Sequence, residues 1–462
     1  MQPSESFRMK AKNAGPKAGN DDLARIFAVF FGILLGLALL KFVNPAVFDK
    51  LVEWPTNGYE WVINPWPVVT GYWLLAAIAM IGLFVVRRDI TAPRWLTALP
   101  LVWLGWQLAS ATHTVDAELT RSTLKHFASC VACFYLGFFA MASLRNPVHF
   151  LVPICCAFLV VLTVGIEQRF GGLEASRQYF MTYVYPQMTS VPEDYLKRLS
   201  SDRIFSTQFY PNALAGVVLL LLPAALAVIW QSRRWLTVGA RSLLVGVVGL
   251  AALACLYWSG SKGGWLLMLV LGLVALLHLR FSKQLKVALV GVFLVAGLAG
   301  FTLKYARFFQ RGATSVSARF DYWEAAARTT ISNPVFGTGP GTFGVAYKAI
   351  KRPESEMSRL THNDYLQQAS DSGLLGFLAF VAFIAGSLIY SKPKPGNGGG
   401  AESLLRFSIW LGVLGWALQR LLEFGLYIPA LAWCGFGWIG WLVSTAKPID
   451  KLPPGDYPSR HR

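Results

Sequence analysis

Apolar residues gather in long blocks along this chain, at 23–43, 68–86, 95–112, 124–144, 148–166, 213–230, 242–258, 264–279, 286–303, 373–391, 404–424 and 428–446. Crossing a bilayer takes roughly 17–25 apolar residues of helix, so the pattern predicts about twelve membrane spans. Backbone groups in lipid must bond within their own segment, and the period-2 alternation of a membrane barrel is absent. The expected fold is therefore an all-α integral membrane protein. Its parts are a tail over 1–22, helices 1–9 over 23–303, an outer loop over 304–372, helices 10–12 over 373–446 and a tail over 447–462.

An even number of spans puts both tails on one side. Connections assigned to that side carry Arg87, Arg88, Arg145, Arg233, Arg234 and Lys286 with hardly any acid, so the positive-inside rule makes it cytoplasmic. The first block follows a polar, basic stretch and lacks a small-residue cleavage site, which predicts an uncleaved anchor. Gly and Pro over 392–400 predict a cytoplasmic linker.

Composition agrees. The chain is 55% hydrophobic and 14% charged, against about 25% charged in soluble domains. Its 17 Trp, 31 Phe and 16 Tyr fit aromatic belts at membrane interfaces. A net charge of +18 suits either nucleic acid or an anionic membrane face, and the apolar content selects the membrane. Six cysteines are too few to staple a fold. Cys130 and Cys133 lie within a span, where helix packing is the expected role.

Two outer connections are long, 167–212 and 304–372, and long loops in compact folds usually carry function. The working face is therefore expected outside the cytoplasm, where neither ATP nor free nucleotide-sugar is at hand. The string Gly337-Thr-Gly339-Pro-Gly341 has no strand before it and is interrupted by Pro340, so a tight turn is expected and not a phosphate cradle. His362 stands just before a span. With Thr361 as a cap it would sit in the first turn of a helix over 362–371, where the dipole favours a neutral imidazole able to accept a proton. The competing reading is an interfacial, hydrogen-bonded histidine. Lys262, in the short hairpin Ser259-Gly-Ser-Lys-Gly-Gly264, either snorkels or meets an anion. Arg203 leads into the sixth span and can grip phosphate, with Asn212 orienting it or capping the helix. Arg319 is similar, with Trp323 packing on its stem. Arg420 and Glu423 read as a local ion pair. The outer-face acidic pairs Asp116/Glu118 and Glu354/Glu356 could hold a cation only weakly, and neither a metal nor another cofactor is expected to be needed.

Four strings in order resemble the O-antigen ligase and polymerase-like family of bacterial surface-polysaccharide assembly. They are Arg203 to Asn212, the Ser259 to Gly264 hairpin, Arg319…Trp323…Asn333-Pro…Gly337 to Phe343, and Thr361-His-Asn-Asp-Tyr-Leu366…Gly373. The resemblance implies a GT-C-type glycosyltransferase of the bacterial inner membrane. Its donor would be a glycan on undecaprenyl pyrophosphate, and its acceptor a sugar hydroxyl on lipid A–core or another glycan. It implies His362 as the base and Arg203 with Lys262 as pyrophosphate ligands, supported by Asn212, Arg319, Asn363 and Asp364. At position 262 this chain has lysine where the family commonly has arginine, which keeps the charge and loses the planar fork. Such a transfer needs stabilisation of charge growing on pyrophosphate, which fixed cations supply without a metal. One displacement by an activated hydroxyl predicts inversion. A polymerase of the same family is the first alternative and a multi-pass transporter or flippase the second, although mid-span charges that a transporter would use are nearly absent.

Overall fold

The structure is a computed structural model that describes residues 18–43, 55, 57–86, 92–144, 147–179, 181–182, 185–187, 201–278, 281–310, 314–393 and 401–446. Regular structure among them is entirely helical: α1 (Ala18–Lys41), α2 (Gly58–Ile63), α3 (Val68–Gly82), α4 (Arg94–Ser110), α5 (Ala117–Tyr135), α6 (Val148–Glu167), α7 (Leu173–Tyr179) and α8 (Pro211–Gln231). There follow α9 (Val238–Trp258), α10 (Lys262–His278), α11 (Lys283–Gln310), α12 (Thr314–Ser332), α13 (Phe343–Ile350), α14 (Asp364–Ser391), α15 (Ala401–Gln419) and α16 (Pro429–Ser444). Every apolar block falls mainly on a helix. Among the described residues, seven helical stretches are long and apolar enough to cross a membrane, including Pro211–Gln231, Lys283–Phe308 and Asp364–Ser391. α3 and α10 are apolar but shorter. Most of both tails, most of the 392–400 linker and part of 167–212 lie outside the described residues, as do Arg87, Arg88 and Arg145.

Helix starts follow local chemistry. Asp116 accepts from the N–H groups of Glu118 and Leu119 to cap α5. Pro211 and Pro429 open α8 and α16, where the missing N–H costs nothing. α16 is the buried centre, with Trp433, Trp438 and Trp441 inside and α1, α5 and α15 against it. Backbones touch there: a Cβ on Gly440 would come 2.0 Å from the Phe134 carbonyl oxygen. Small residues let apolar helices gain packing where lipid offers no hydrophobic drive. Cys130 and Cys133 are buried in this packing, and the Cys130 Sγ lies 3.7 Å from Nε2 of His126, one turn before it. By contrast, α11 packs chiefly on α10, and its apolar window is wholly unburied.

The stretch 304–372 is largely helical. α11 runs on to Gln310, α12 and α13 follow, and α14 begins at Asp364. α14 is broken at Ser372 (φ −132°) and Gly373 (φ +69°), which separates a short helix from the apolar span after it. The glycine-rich string wraps this break. Gly339 N–H donates to the Asp371 carbonyl at 2.9 Å, Gly341 N–H to the Asp371 carboxylate at 2.8 Å, and Leu374 N–H to the Pro334 carbonyl at 2.8 Å. Its amides are thus engaged by protein, as expected of a turn. Glycine is required at 373, where φ is positive and a Cβ would lie 2.1 Å from the Val335 carbonyl oxygen.

Candidate active site

Four separate segments meet at one place: the start of α8, α12, the chain entering α14, and the connection between α15 and α16. Their meeting point is Glu423, on the last of these. One of its carboxylate oxygens accepts from Tyr210 Oη at 2.9 Å and from His362 Nδ1 at 3.1 Å. The other accepts from Asn212 Nδ2 at 2.6 Å and from Arg319 Nη2. Burial alone would raise the Glu423 carboxyl, but the Arg319 charge and the His362 and Tyr210 hydrogen bonds outweigh it and hold the group below its ordinary value. Burial, and then the Glu423 charge, push the Tyr210 phenol up, so it remains a donor. Burial would lower the Arg319 guanidinium, yet Glu423 reverses the balance and raises it.

The local ion pair expected between Arg420 and Glu423 does not form. Arg420 instead pairs with Asp364 at 3.0 Å, both side chains almost fully buried. Asp364 also accepts from Leu426 N–H at 2.7 Å, and its own N–H donates to the Arg420 carbonyl at 2.9 Å. A buried charge is costly unless it is paired, and i,i+3 spacing aligns side chains only within a continuing helix; α15 ends at Gln419. The consequence is positional. Asp364 locks the 420–426 segment to the start of α14, which brings Glu423 under His362.

His362 also departs from expectation. Asn363 is the N-cap, its Oδ1 accepting from Tyr365 N–H and Leu366 N–H, both at 3.1 Å. Thr361 is not the cap: its hydroxyl donates to the Asn363 carbonyl at 2.6 Å. His362 therefore precedes the helix, with φ +52°, and the first-turn dipole argument does not apply to it. Orientation comes from side chains. Its ring lies 5.8 Å from that of Tyr322, near-parallel, and 4.9 Å from Phe424, edge-on. A carboxylate only accepts, so a neutral ring held this way carries its hydrogen on Nδ1 and its lone pair on Nε2. Backbone held at positive φ for a non-glycine residue is typical of sites that aim one side chain.

Arg203 spans two elements. Its Nε donates to the Ser259 carbonyl at 2.7 Å and its Nη2 to Asn212 Oδ1 at 2.9 Å. Asn212 thus orients Arg203 and does not cap α8, where no side-chain cap is made. A continuous chain runs from Arg203 through Asn212 and Glu423 to His362. Lys262 is the first residue of α10, its Nζ 3.8 Å from the Phe308 ring centroid and 5.4 Å from that of Tyr305. It makes no ion pair among the described residues, and the charges of Arg203 and Arg319 act on it. Of the residues singled out in the sequence, the structure joins Arg203, Asn212, Arg319 and His362 through hydrogen bonds, while the places of Tyr210, Tyr322 and Glu423 in this cluster were not foreseen. Tyr210 did carry a signal, since it directly precedes the Pro211-Asn212 helix start.

No group of three or more metal-ligating side chains occurs among the described residues. A separate cleft of about 330 Å³ lies between α12 and α13, lined by Asp321, Tyr347, Arg352 and Ser355 among others, and includes none of the residues joined to Glu423.

Residues 247–381 match the family described as O-antigen ligase. The match takes in Lys262, Arg319 and His362 to Asp364; Arg203, Asn212 and Glu423 lie beyond it. Over an alignment of 175 positions that covers 32% of the chain, the sequence is 28% identical to an uncharacterized protein of Haemophilus influenzae, and the match spans 44% of that protein's length. The resemblance to the O-antigen ligase family thus holds over the segment that supplies the histidine string and the hairpin lysine.

Proposed function

We propose that this chain, which carries an O-antigen ligase-like segment, transfers a glycan from undecaprenyl pyrophosphate to a sugar hydroxyl of lipid A–core or a related glycan. In this reading His362 Nε2 removes the proton of the acceptor hydroxyl. The freed oxygen bonds to the anomeric carbon as the bond from that carbon to the pyrophosphate oxygen breaks. The electron pair leaves with undecaprenyl pyrophosphate, the proton stays on the imidazole, and the anomeric configuration inverts. Glu423 holds Nδ1 and offsets the charge the ring gains. Arg203 and Lys262 offset the charge gained by the pyrophosphate, which is worth more beside lipid than in water. Fixed cations can carry this stabilisation without a metal.

The observation that supports the reading best is the continuity of Arg203, Asn212, Glu423 and His362. One hydrogen-bonded chain links a candidate anion ligand to a candidate base, so donor and acceptor would be held in one register. In this reading the site faces outward from a bacterial inner membrane, with about twelve spans and both tails cytoplasmic, because the positive-inside rule puts the short basic connections of the sequence in the cytoplasm and leaves the segments that carry the site for the other side. The test is transfer by the purified protein in liposomes, given a polyprenyl-pyrophosphate glycan and candidate acceptors. A single joined block is expected. A ladder of repeats would make the chain a polymerase, and absence of transfer together with movement of the lipid-linked glycan across the bilayer would make it a flippase.

A further inference from the structure

Around the hairpin between α9 and α10 stand Arg203, Lys262, Lys304 and Arg319. Of these only Arg319 forms an ion pair among the described residues, and its partner Glu423 is shared with His362. The remaining cations are close enough for the charges of Arg203 and Lys262 to act on Lys304. Lys304 donates to the Tyr257 carbonyl and rests on the Tyr257 ring, 3.0 Å from its centroid. Between the two lysines lies Tyr305, its ring centroid 5.4 Å from Lys262 Nζ and 5.5 Å from Lys304 Nζ. Tyr305 is 6% exposed, and its hydroxyl, shut off from solvent, has no hydrogen-bond partner among the described residues. A buried donor left unmade is costly, and grouped cations without an anion repel one another. Both costs vanish if an anion with several oxygens sits against this wall.

We propose that the outer end of α11 completes the pyrophosphate site: Tyr305 Oη donates to one phosphate oxygen and Lys304 Nζ to another, opposite Lys262 and Arg203. The inference rests on the donor reading above and adds two binding residues to it. A lysine ammonium has three donors, and the Tyr257 carbonyl uses one. Capping the end of α9 accounts for that single bond, but not for the unpartnered phenol beside it. Because α11 packs chiefly on α10, a bridging anion would also fasten its outer end to the hairpin.

The test titrates undecaprenyl pyrophosphate into the purified full-length protein in detergent and follows intrinsic fluorescence, with inorganic pyrophosphate and phosphatidylglycerol in parallel. Tyr305→Phe keeps the ring near both lysines and removes only the hydroxyl. It and Lys304→Gln are each expected to raise the Kd for undecaprenyl pyrophosphate by about tenfold, while Lys304→Arg stays within about threefold of the parent. Inorganic pyrophosphate should bind more weakly with the same order of variants, since the phosphate chemistry is shared. Parent-like affinity in both Tyr305→Phe and Lys304→Gln overturns the proposal. So does a loss confined to phosphatidylglycerol, which would make the lysines headgroup anchors. If the parent protein binds no pyrophosphate at all, the donor reading falls first, a result distinguishable from failure of the α11 assignment alone.

Discussion

Replacing Glu423 with glutamine keeps the side chain's size and removes its charge. Four donors converge on this carboxylate, from Tyr210, Asn212, Arg319 and His362. An amide offers one oxygen and a pair of N–H groups, so whichever way it turns, two of those donors face another donor. Where His362 is the pair that fails, a charge-assisted hydrogen bond of about 1.5–3 kcal/mol is lost from the step in which the ring gains charge. At 1.36 kcal/mol per decade this corresponds to a fall in kcat of roughly 10- to 150-fold. Stability falls as well, because Arg319 loses its counter-charge; removing one partner of a fully buried pair costs roughly 3–5 kcal/mol, and Arg319, at 21% exposed, should cost less. The assay is initial transfer rate at saturating donor and acceptor, with thermal unfolding in detergent measured alongside. A Glu423→Gln protein with kcat within about twofold of the parent would refute the dyad. The acid dependence has a definite sign. The folded carboxyl lies below its ordinary value, so its contribution to stability is fully present above that value and is lost as pH falls through the lower folded one. Glu423→Gln should flatten this acid-side loss in an unfolding titration.

His362→Asn keeps a residue that tolerates positive φ and removes the base, so transfer should drop by about 10²–10⁴-fold with donor affinity unchanged, while loss of the Glu423 bond and the Tyr322 and Phe424 ring contacts lowers the melting temperature only modestly; substantial transfer would remove the assignment. Asn212→Ala cuts the link between Arg203 and Glu423, and donor KM should rise more than acceptor KM in steady-state assays; equal effects on both would argue for simple loss of folding. Asp364→Asn leaves Arg420 buried without its counter-ion and should destabilise by roughly 3–5 kcal/mol, read as a lower melting temperature and as lost activity even where folding persists. Gly373→Ala places a Cβ against the Val335 carbonyl at a positive φ, so the yield of folded protein should fall sharply in detergent extraction.

The sequence by itself placed the apolar helices, because long apolar runs have few other stable states where backbone groups must satisfy themselves, although against the expected twelve spans only seven stretches among the described residues are long and apolar enough to cross. It also picked out Arg203, Lys262, Arg319 and His362, because a cation or imidazole at the edge of an apolar span is conspicuous whatever the fold. The short helix before the span at 373 was legible too, displaced by two residues since Asn363 and not Thr361 makes the cap. Tertiary structure alone decided what each of these groups touches. Glu423 lies 61 positions from His362, 104 from Arg319 and 213 from Tyr210, and joins them only because α8, α12, α14 and the α15–α16 connection end at one place. Its i,i+3 spacing from Arg420 pointed to the wrong partner. Local spacing predicts contacts while a helix continues; once it stops, a buried charge takes the partners that packing brings to it, and packing depends on how whole helices fit together.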